Sequence, residues 1–283
     1  MVVLAAGLLA GCSLNRPRHS TAPVSGNIKD STPCKPPPLY LPERIEEGYT
    51  LILPGAWGDL PPDYGIAKGL EDADVRSAVE LYDWTASPWR IAHNIRNAAH
   101  NRDQALAVAD KVVQYQDQYP GRPVHLIGYS GGGGLLIQAL EALPENRRIE
   151  CGVLLAPDLS ANYDLRAALA HTRRGIHNFY SPFDVPVLMV MGTAVGTTDG
   201  RHALPGGAIG FYPPRSLDAD ERSEYASQVA QCSYAVGMLR HGHRGGHFGW
   251  TNRSFVANRV APLIERSPVN RLPPIEPQLA HTE

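Results

Sequence analysis

The stretch Pro123-Val-His-Leu-Ile-Gly-Tyr-Ser-Gly-Gly-Gly-Gly134 constrains this chain more than any other. The apolar run Val124 to Ile127 is too short for a helix and stops at Gly128, while Leu135 to Leu143 reads as helix. Strand, tight turn and helix then follow one another, with Ser130 at the tip. A serine on so sharp a turn takes strained backbone angles, and side chains two residues to either side would collide with the turn. Gly128 and Gly132 remove that collision. The helix starting after the serine directs free N–H groups and the positive end of its dipole towards the serine oxygen. No Gly-Lys-Ser/Thr follows, which excludes a phosphate-binding P-loop. No G-x-G-x-x-G with an acid downstream is present either, which excludes a dinucleotide site.

The rest of the chain supplies a sheet for this turn. Leu51-Ile52-Leu53 reads as a buried strand that runs into Pro54-Gly55-Ala56-Trp57-Gly58. A second strand spans Ala78 to Trp84 and stops before Ser87-Pro88. In the long segment from Trp89 to Tyr119, Ala105, Val108, Ala109, Val112, Tyr115 and Tyr119 recur at helical steps, so one helix face packs on the sheet. Pro120-Gly121 ends it. Cys151 to Ala156 and Ile176 to Tyr180 read as further strands, with a helix over Tyr163 to Arg173 between them. Val185 to Gly192 has strand character too. Beyond Gly192 the chain is loop-rich up to Gly246, with a helix near Asp220 to Gln231, a short strand at Tyr234 to Leu239, and Phe211, Tyr212 and Tyr234 as aromatic pocket lining. A last helix covers Thr251 to Ile264. Wholly apolar strands alternating with helices predict an α/β fold, a predominantly parallel sheet with helices on both faces. With 283 residues, 43% of them hydrophobic, the chain can hold one such domain over 46–266.

A serine hydroxyl is a weak nucleophile. It needs a base for its proton, an acid to orient that base, and donors for the oxyanion that forms. The expected chain order is serine, acid, histidine. His247, in Gly245-Gly246-His247-Phe248-Gly249-Trp250 just ahead of the last helix, is the expected base. Strand counting puts the acid at Asp184, after Ile176 to Tyr180; Asp199 is the alternative and Asp158 a third option. The oxyanion donors expected are the N–H of Gly131 and one from Ala56 or Trp57. A rival use of the histidines is open: His241, His243 and His247 could ligate a transition metal in a metal-dependent hydrolase.

Together these residues resemble the α/β-hydrolase superfamily, over about Gly48 to Ile264, with Gly128-Tyr129-Ser130-Gly131-Gly132 as its most specific part. The family often has His-Gly where this chain has Pro54-Gly55, so a side-chain role for that histidine has no counterpart here. The resemblance implies the α/β-hydrolase fold and hydrolysis of a carboxylic ester or related acyl bond. It implies a small-molecule acyl substrate and no cofactor or metal.

The N-terminus resembles a bacterial lipoprotein signal. Val2 to Leu9 is apolar and too short to span a bilayer, and Leu9-Ala10-Gly11-Cys12 has the small residues of a cleavage site before a lipid-bearing cysteine. That reading makes 1–12 a signal segment, 13–45, rich in proline, serine and threonine, a tether, and 267–283 a polar tail. It places the protein in the bacterial envelope on a lipid anchor. The formal net charge of -2 offers no basic field for nucleic acid. Three cysteines remain besides Cys12, and a Cys34–Cys232 disulfide is open. Such an anchored chain could also use a hydrolase scaffold without catalysis, as an envelope binding module.

Overall fold

The computed structural model describes residues 41–265, apart from 59–60, 88–89, 185–187 and 189–190. The segments 1–12, most of 13–45 and 267–283, with Cys12 and Cys34 among them, lie outside the described residues. At the end of the expected tether, Pro42–Arg44 forms a single 3-10 turn. Arg44 binds Asp74 and the Val75 carbonyl, so these residues belong to the folded unit.

Six parallel strands form one sheet: β1 (Tyr49–Leu53), β2 (Ala78–Leu81), β3 (Val124–Tyr129), β4 (Cys151–Leu155), β5 (Ile176–Tyr180) and β6 (Val229–Ser233), in the order β2-β1-β3-β4-β5-β6. The register sets Leu53 beside Gly128, and Gly128 beside Leu154. Alternate residues of each inner strand serve opposite faces, and both faces are apolar. Leu51, Leu53, Val124 and Leu126 join the core beneath α3 (Ala98–Gln118) and α4 (Gly131–Glu141). Ile52, Ile127, Val153 and Leu155 join the opposite core, under α1 (Pro61–Asp72) and the helical segment 253–265. The face expected of the long helix is the buried one: Ala105, Val108, Ala109, Val112 and Tyr115 all lie inside.

This topology places the site. The chain leaves β1 for the outer strand β2, then returns past β1 to β3, so the direction of winding reverses between β1 and β3. Loops leaving the carboxyl ends of such strands diverge and open a crevice. The two loops here are Pro54–Gly58 after β1 and Ser130 after β3.

Several expected elements differ. Helix α1 fills a stretch for which no element is expected from the sequence, and it carries two prolines and two glycines. Prolines are tolerated in a first helical turn, and Gly69 sits where a Cβ would lie 2.6 Å from that of Val256. The helix expected over Tyr163 to Arg173 is only one turn, α5 (Arg166–Leu169). Asp218 and Glu221 form a reciprocal capping box that starts α6 at Ala219; it ends at Gln228, and the last expected helical residues become β6. No strand forms over Tyr234 to Leu239: β5 already has β6 as its neighbour, and Val236–His241 coils into 3-10 turns. Most of the strand expected over Val185 to Gly192 lies outside the described residues, and Met191–Val195 is a π-helical turn.

Candidate active site

Ser130 adopts φ 52° and ψ −121°, a conformation an L-residue rarely takes. Backbone hydrogen bonds hold it there: its N–H donates to Leu155 O (2.9 Å), and its carbonyl accepts from the N–H groups of Gly133 (2.9 Å) and Asp158 (2.9 Å). The glycines act as expected. A Cβ on Gly128 would lie 2.5 Å from Gly132 O, and one on Gly132 would lie 2.5 Å from Pro54 O and closer still to Leu53 O.

His247 reaches this serine from a 3-10 turn, His247–Thr251, 117 residues later. Its Nε2 lies 3.1 Å from Ser130 Oγ, and its Nδ1 lies 2.7 Å from Asp184 Oδ2. A carboxylate only accepts, so Nδ1 carries the proton and the Nε2 lone pair faces the serine hydroxyl. Asp184 ends the 3-10 turn Pro182–Asp184 after β5 and is 1% exposed. Burial raises its pKa above the ordinary carboxylate value, an effect only partly offset by the hydrogen bond from His247. Asp184 Oδ1 is buried with no partner among the described residues.

The competing aspartates stand elsewhere. Asp199 Oδ1 accepts from Ser160 N–H (3.1 Å) and from the Thr197 hydroxyl (2.5 Å), and its other oxygen accepts from Ser160 Oγ and pairs with Arg201 (3.5 Å). Asp158 is buried, with its pKa pushed up to about 7 by burial and by the charge of Asp199, which suits it poorly to act as a permanent anion. The structure brings Asp184, and neither rival, to His247.

Two further residues hold this group and carried no sequence signal. Ser181 donates from Oγ to Gly245 O (2.6 Å) and accepts from Phe183 N–H (3.2 Å), tying the turn of Asp184 to the loop of His247. Tyr129 packs its ring 5.0 Å from the His247 ring and directs its hydroxyl at the His247 carbonyl (3.4 Å). The first arises from a serine in an ordinary turn and the second from the variable position of the G-x-S-x-G stretch.

Gly131 opens α4, and its N–H has no acceptor among the described residues. Ala56 adjoins it: a Cβ on Gly131 would lie 3.0 Å from Ala56 Cβ and 3.3 Å from Ala56 N. Trp57, one residue on, is partly exposed. Phe183 and Phe248, beside the acid and the histidine, expose 70% and 54% of their surface and give the site an apolar rim. Of the expected aromatic lining, Phe211 is a core residue against Gly206, Tyr212 is exposed, and Tyr234 packs edge-on to Phe183 at 5.9 Å. The loop 195–202 walls a cavity of about 660 Å³ with α3 and α4, and neither Ser130 nor His247 lines it.

The metal reading of the histidines is corrected by their placement. His247 is engaged as described. His243 is fully buried: its Nδ1 accepts the Gly245 N–H (2.9 Å), and the rings of Trp250, Tyr234 and Phe255 enclose it at 4.0, 5.0 and 5.2 Å. Among the described residues no three His, Cys, Asp or Glu side chains converge on a metal-sized point. Among the described residues Cys232 forms no disulfide, and Cys34, with which the sequence left a bond open, lies outside them.

Burial holds His243 down to about 4, from the ordinary 6.5. Below pH 6.5 the unfolded imidazole binds a proton that the folded one refuses, so stability is lost as pH falls from 6.5 towards 4. Between pH 6 and pH 5 this ring should cost the fold about 1 kcal/mol. His243→Leu is expected to flatten the stability profile over that interval by the same amount in urea titrations; profiles of equal slope would refute the assignment.

No protein-family model matches the sequence, and no curated protein matches it. Solved structures do resemble the fold. A dienelactone hydrolase-like promiscuous phosphotriesterase from metagenomic libraries is 15% identical, with a TM-score of 0.46 over 77% of this chain and 85% of that one. A dienelactone hydrolase from Anabaena variabilis is 16% identical, with a TM-score of 0.44 over 77% and 83%. A Trichoderma reesei cutinase in complex with a phosphonate inhibitor is 12% identical, with a TM-score of 0.36 over 77% and 76%. At these identities and TM-scores the likeness says nothing of activity or substrate. Strand order, the serine turn after β3 and helices on both sheet faces give this chain the α/β-hydrolase fold.

Proposed function

We propose that the protein is a serine hydrolase of carboxylic esters or related acyl bonds, acting through Ser130, His247 and Asp184. One observation carries this reading: a serine hydroxyl in a strained turn hydrogen-bonds an imidazole, whose other nitrogen meets a buried carboxylate. In the reaction, His247 Nε2 takes the Ser130 proton as Oγ bonds to the substrate carbonyl carbon, and the carbonyl electrons move to its oxygen. The Gly131 and Ala56 N–H groups stabilise that oxyanion. Collapse breaks the ester C–O bond, and the leaving oxygen takes the proton from His247. Water repeats the cycle against the acyl-enzyme, releasing a carboxylic acid and restoring Ser130. Asp184 stabilises the imidazolium and holds the ring in the productive tautomer. The exposed rings of Phe183 and Phe248 favour substrates with an apolar part at the mouth of the site.

The test is covalent labelling. A fluorophosphonate is expected to modify Ser130 stoichiometrically, found by peptide mapping, and to abolish hydrolysis of p-nitrophenyl esters in step. Folded protein that neither reacts nor hydrolyses any ester would leave the non-catalytic binding module as the better reading.

A lipid anchor at Cys12 completes the proposal and puts the domain at the bacterial envelope, supported by Leu9-Ala10-Gly11-Cys12 and the proline-rich residues after it. Expressed in a bacterium fed labelled palmitate, the full chain is expected to take up label, and Cys12→Ala to take up none. An unlabelled parent chain would remove the anchor from the proposal.

A further inference from the structure

The two backbone donors proposed for the oxyanion differ in how they are held. The N–H of Gly131 is directed by α4. That of Ala56 lies in a loop, where orientation depends on whatever grips the neighbouring peptide groups. A peptide unit is planar, with its C=O and N–H pointing in opposite directions, so fixing one end fixes the other. The Pro54 carbonyl accepts from the Trp84 indole (2.7 Å), the next N–H in that unit, of Gly55, donates to Asp63 Oδ1 (3.2 Å), and the Gly55 carbonyl accepts from Gly58 N–H (3.1 Å). This last bond turns the Ala56 N–H the other way.

The peptide on the far side of Ala56 has one described partner for its carbonyl, and that partner comes from another element. Asn94, on α2 (Ile91–Arg96), donates from Nδ2 to Ala56 O (2.8 Å) and to Ser87 O (2.7 Å), and accepts from Ser87 N–H (3.3 Å) at Oδ1. It is fully buried. Helix α2 is itself anchored, since Arg96 donates to the carbonyls of Val195 (2.6 Å) and Ala194 (3.1 Å). We propose that Asn94 is a positioning residue for hydrolysis: by gripping the Ala56 carbonyl it locks Ala56 from its C-terminal side and keeps the Ala56 N–H aimed beside that of Gly131. This rests on the serine-hydrolase reading above. Asn94 touches no reacting atom. Its contribution is to the oxyanion, which forms only as the bond to Ser130 forms, so it belongs to kcat rather than to substrate binding. A shift of a donor by about 1 Å is enough to cost on the order of 100-fold.

The experiment compares Asn94→Ala and Asn94→Asp with the parent protein on p-nitrophenyl butyrate, with rates expressed per fluorophosphonate-reactive site. The expected result is a kcat lower by about 10- to 100-fold in both variants with KM within threefold, and Ser130 phosphonylation slowed by a similar factor. Aspartate has the size of asparagine, so it keeps the test open if the alanine variant fails to fold. Its ionised carboxyl has no donor for Ala56 O, whereas its neutral form has one. The ratio of its kcat to that of the parent should therefore rise as pH is lowered, a rescue that a filler of space would not show. A kcat within twofold of the parent, or a loss confined to KM or to thermal stability, would overturn the role of Asn94. An inert parent protein would instead overturn the reading on which it rests.

Discussion

Ser130→Ala is expected to reduce ester hydrolysis by about 10⁵- to 10⁶-fold in kcat, while the protein stays folded. The size of the effect follows from what is removed in the proposed mechanism, where Oγ both forms the new bond and gives the proton that His247 receives, so no partial version of the step survives. The fold is expected to survive because backbone atoms hold the turn. The N–H of Ser130 goes to Leu155, and its carbonyl takes the N–H groups of Gly133 and Asp158. The change removes one hydroxyl whose described protein partner is the His247 ring. Circular dichroism and a melting curve close to those of the parent, together with loss of p-nitrophenyl ester turnover, make the expected pair of results. Turnover within tenfold of the parent would show that another group is the nucleophile.

Asp184→Asn and Asp199→Asn are expected to separate two carboxylates that look alike from outside the fold. An amide at 184 can turn its NH₂ towards His247, which then protonates at Nε2 and presents an N–H to Ser130 where a lone pair is needed. Loss of about 10⁴-fold in kcat is the expected consequence. Asp184 is 1% exposed, so bulk solvent has little access to the pair. At Asp199 the same change leaves one oxygen to accept from Ser160 N–H and the Thr197 hydroxyl, but puts an NH₂ where the other oxygen accepted from Ser160 Oγ and paired with Arg201. Its expected effect is a stability loss of about 1–3 kcal/mol with kcat within threefold. Steady-state kinetics and urea unfolding on both variants check the contrast, and a reversed pattern would move the acid role to Asp199.

The strongest local signals in this chain are those that need no distant partner. Gly128-Tyr129-Ser130-Gly131-Gly132 reads as a turn because each glycine answers a collision within its own neighbourhood or with the adjoining strand. The central strands read as strands because both of their faces are apolar, and that shows in any run of residues buried on both sides. Where a second element had to be known, reading along the chain falls short. Tyr234 to Leu239 is apolar enough for a strand, yet the place beside β5 is taken by β6, a competition visible only when strands are laid side by side. Helix α1 hides behind glycines that make sense only against Val256 and Thr251.

The sequence alone therefore determined a parallel sheet, a serine at the carboxyl end of one of its strands, and a short set of partners for it. Strand counting put Asp184 first among those partners, and only the tertiary structure brought it, and neither rival, to His247. Asp184, Asp158 and Asp199 are each an aspartate in a loop following an apolar run, and hydrogen-bond geometry acts over about 3 Å between residues far apart in the chain. The same holds for Asn94, whose 38-residue reach to Ala56 leaves no periodicity or motif behind it. Propensity and packing are written along the chain, whereas the orientation of one polar group by another exists only once the fold has brought them together.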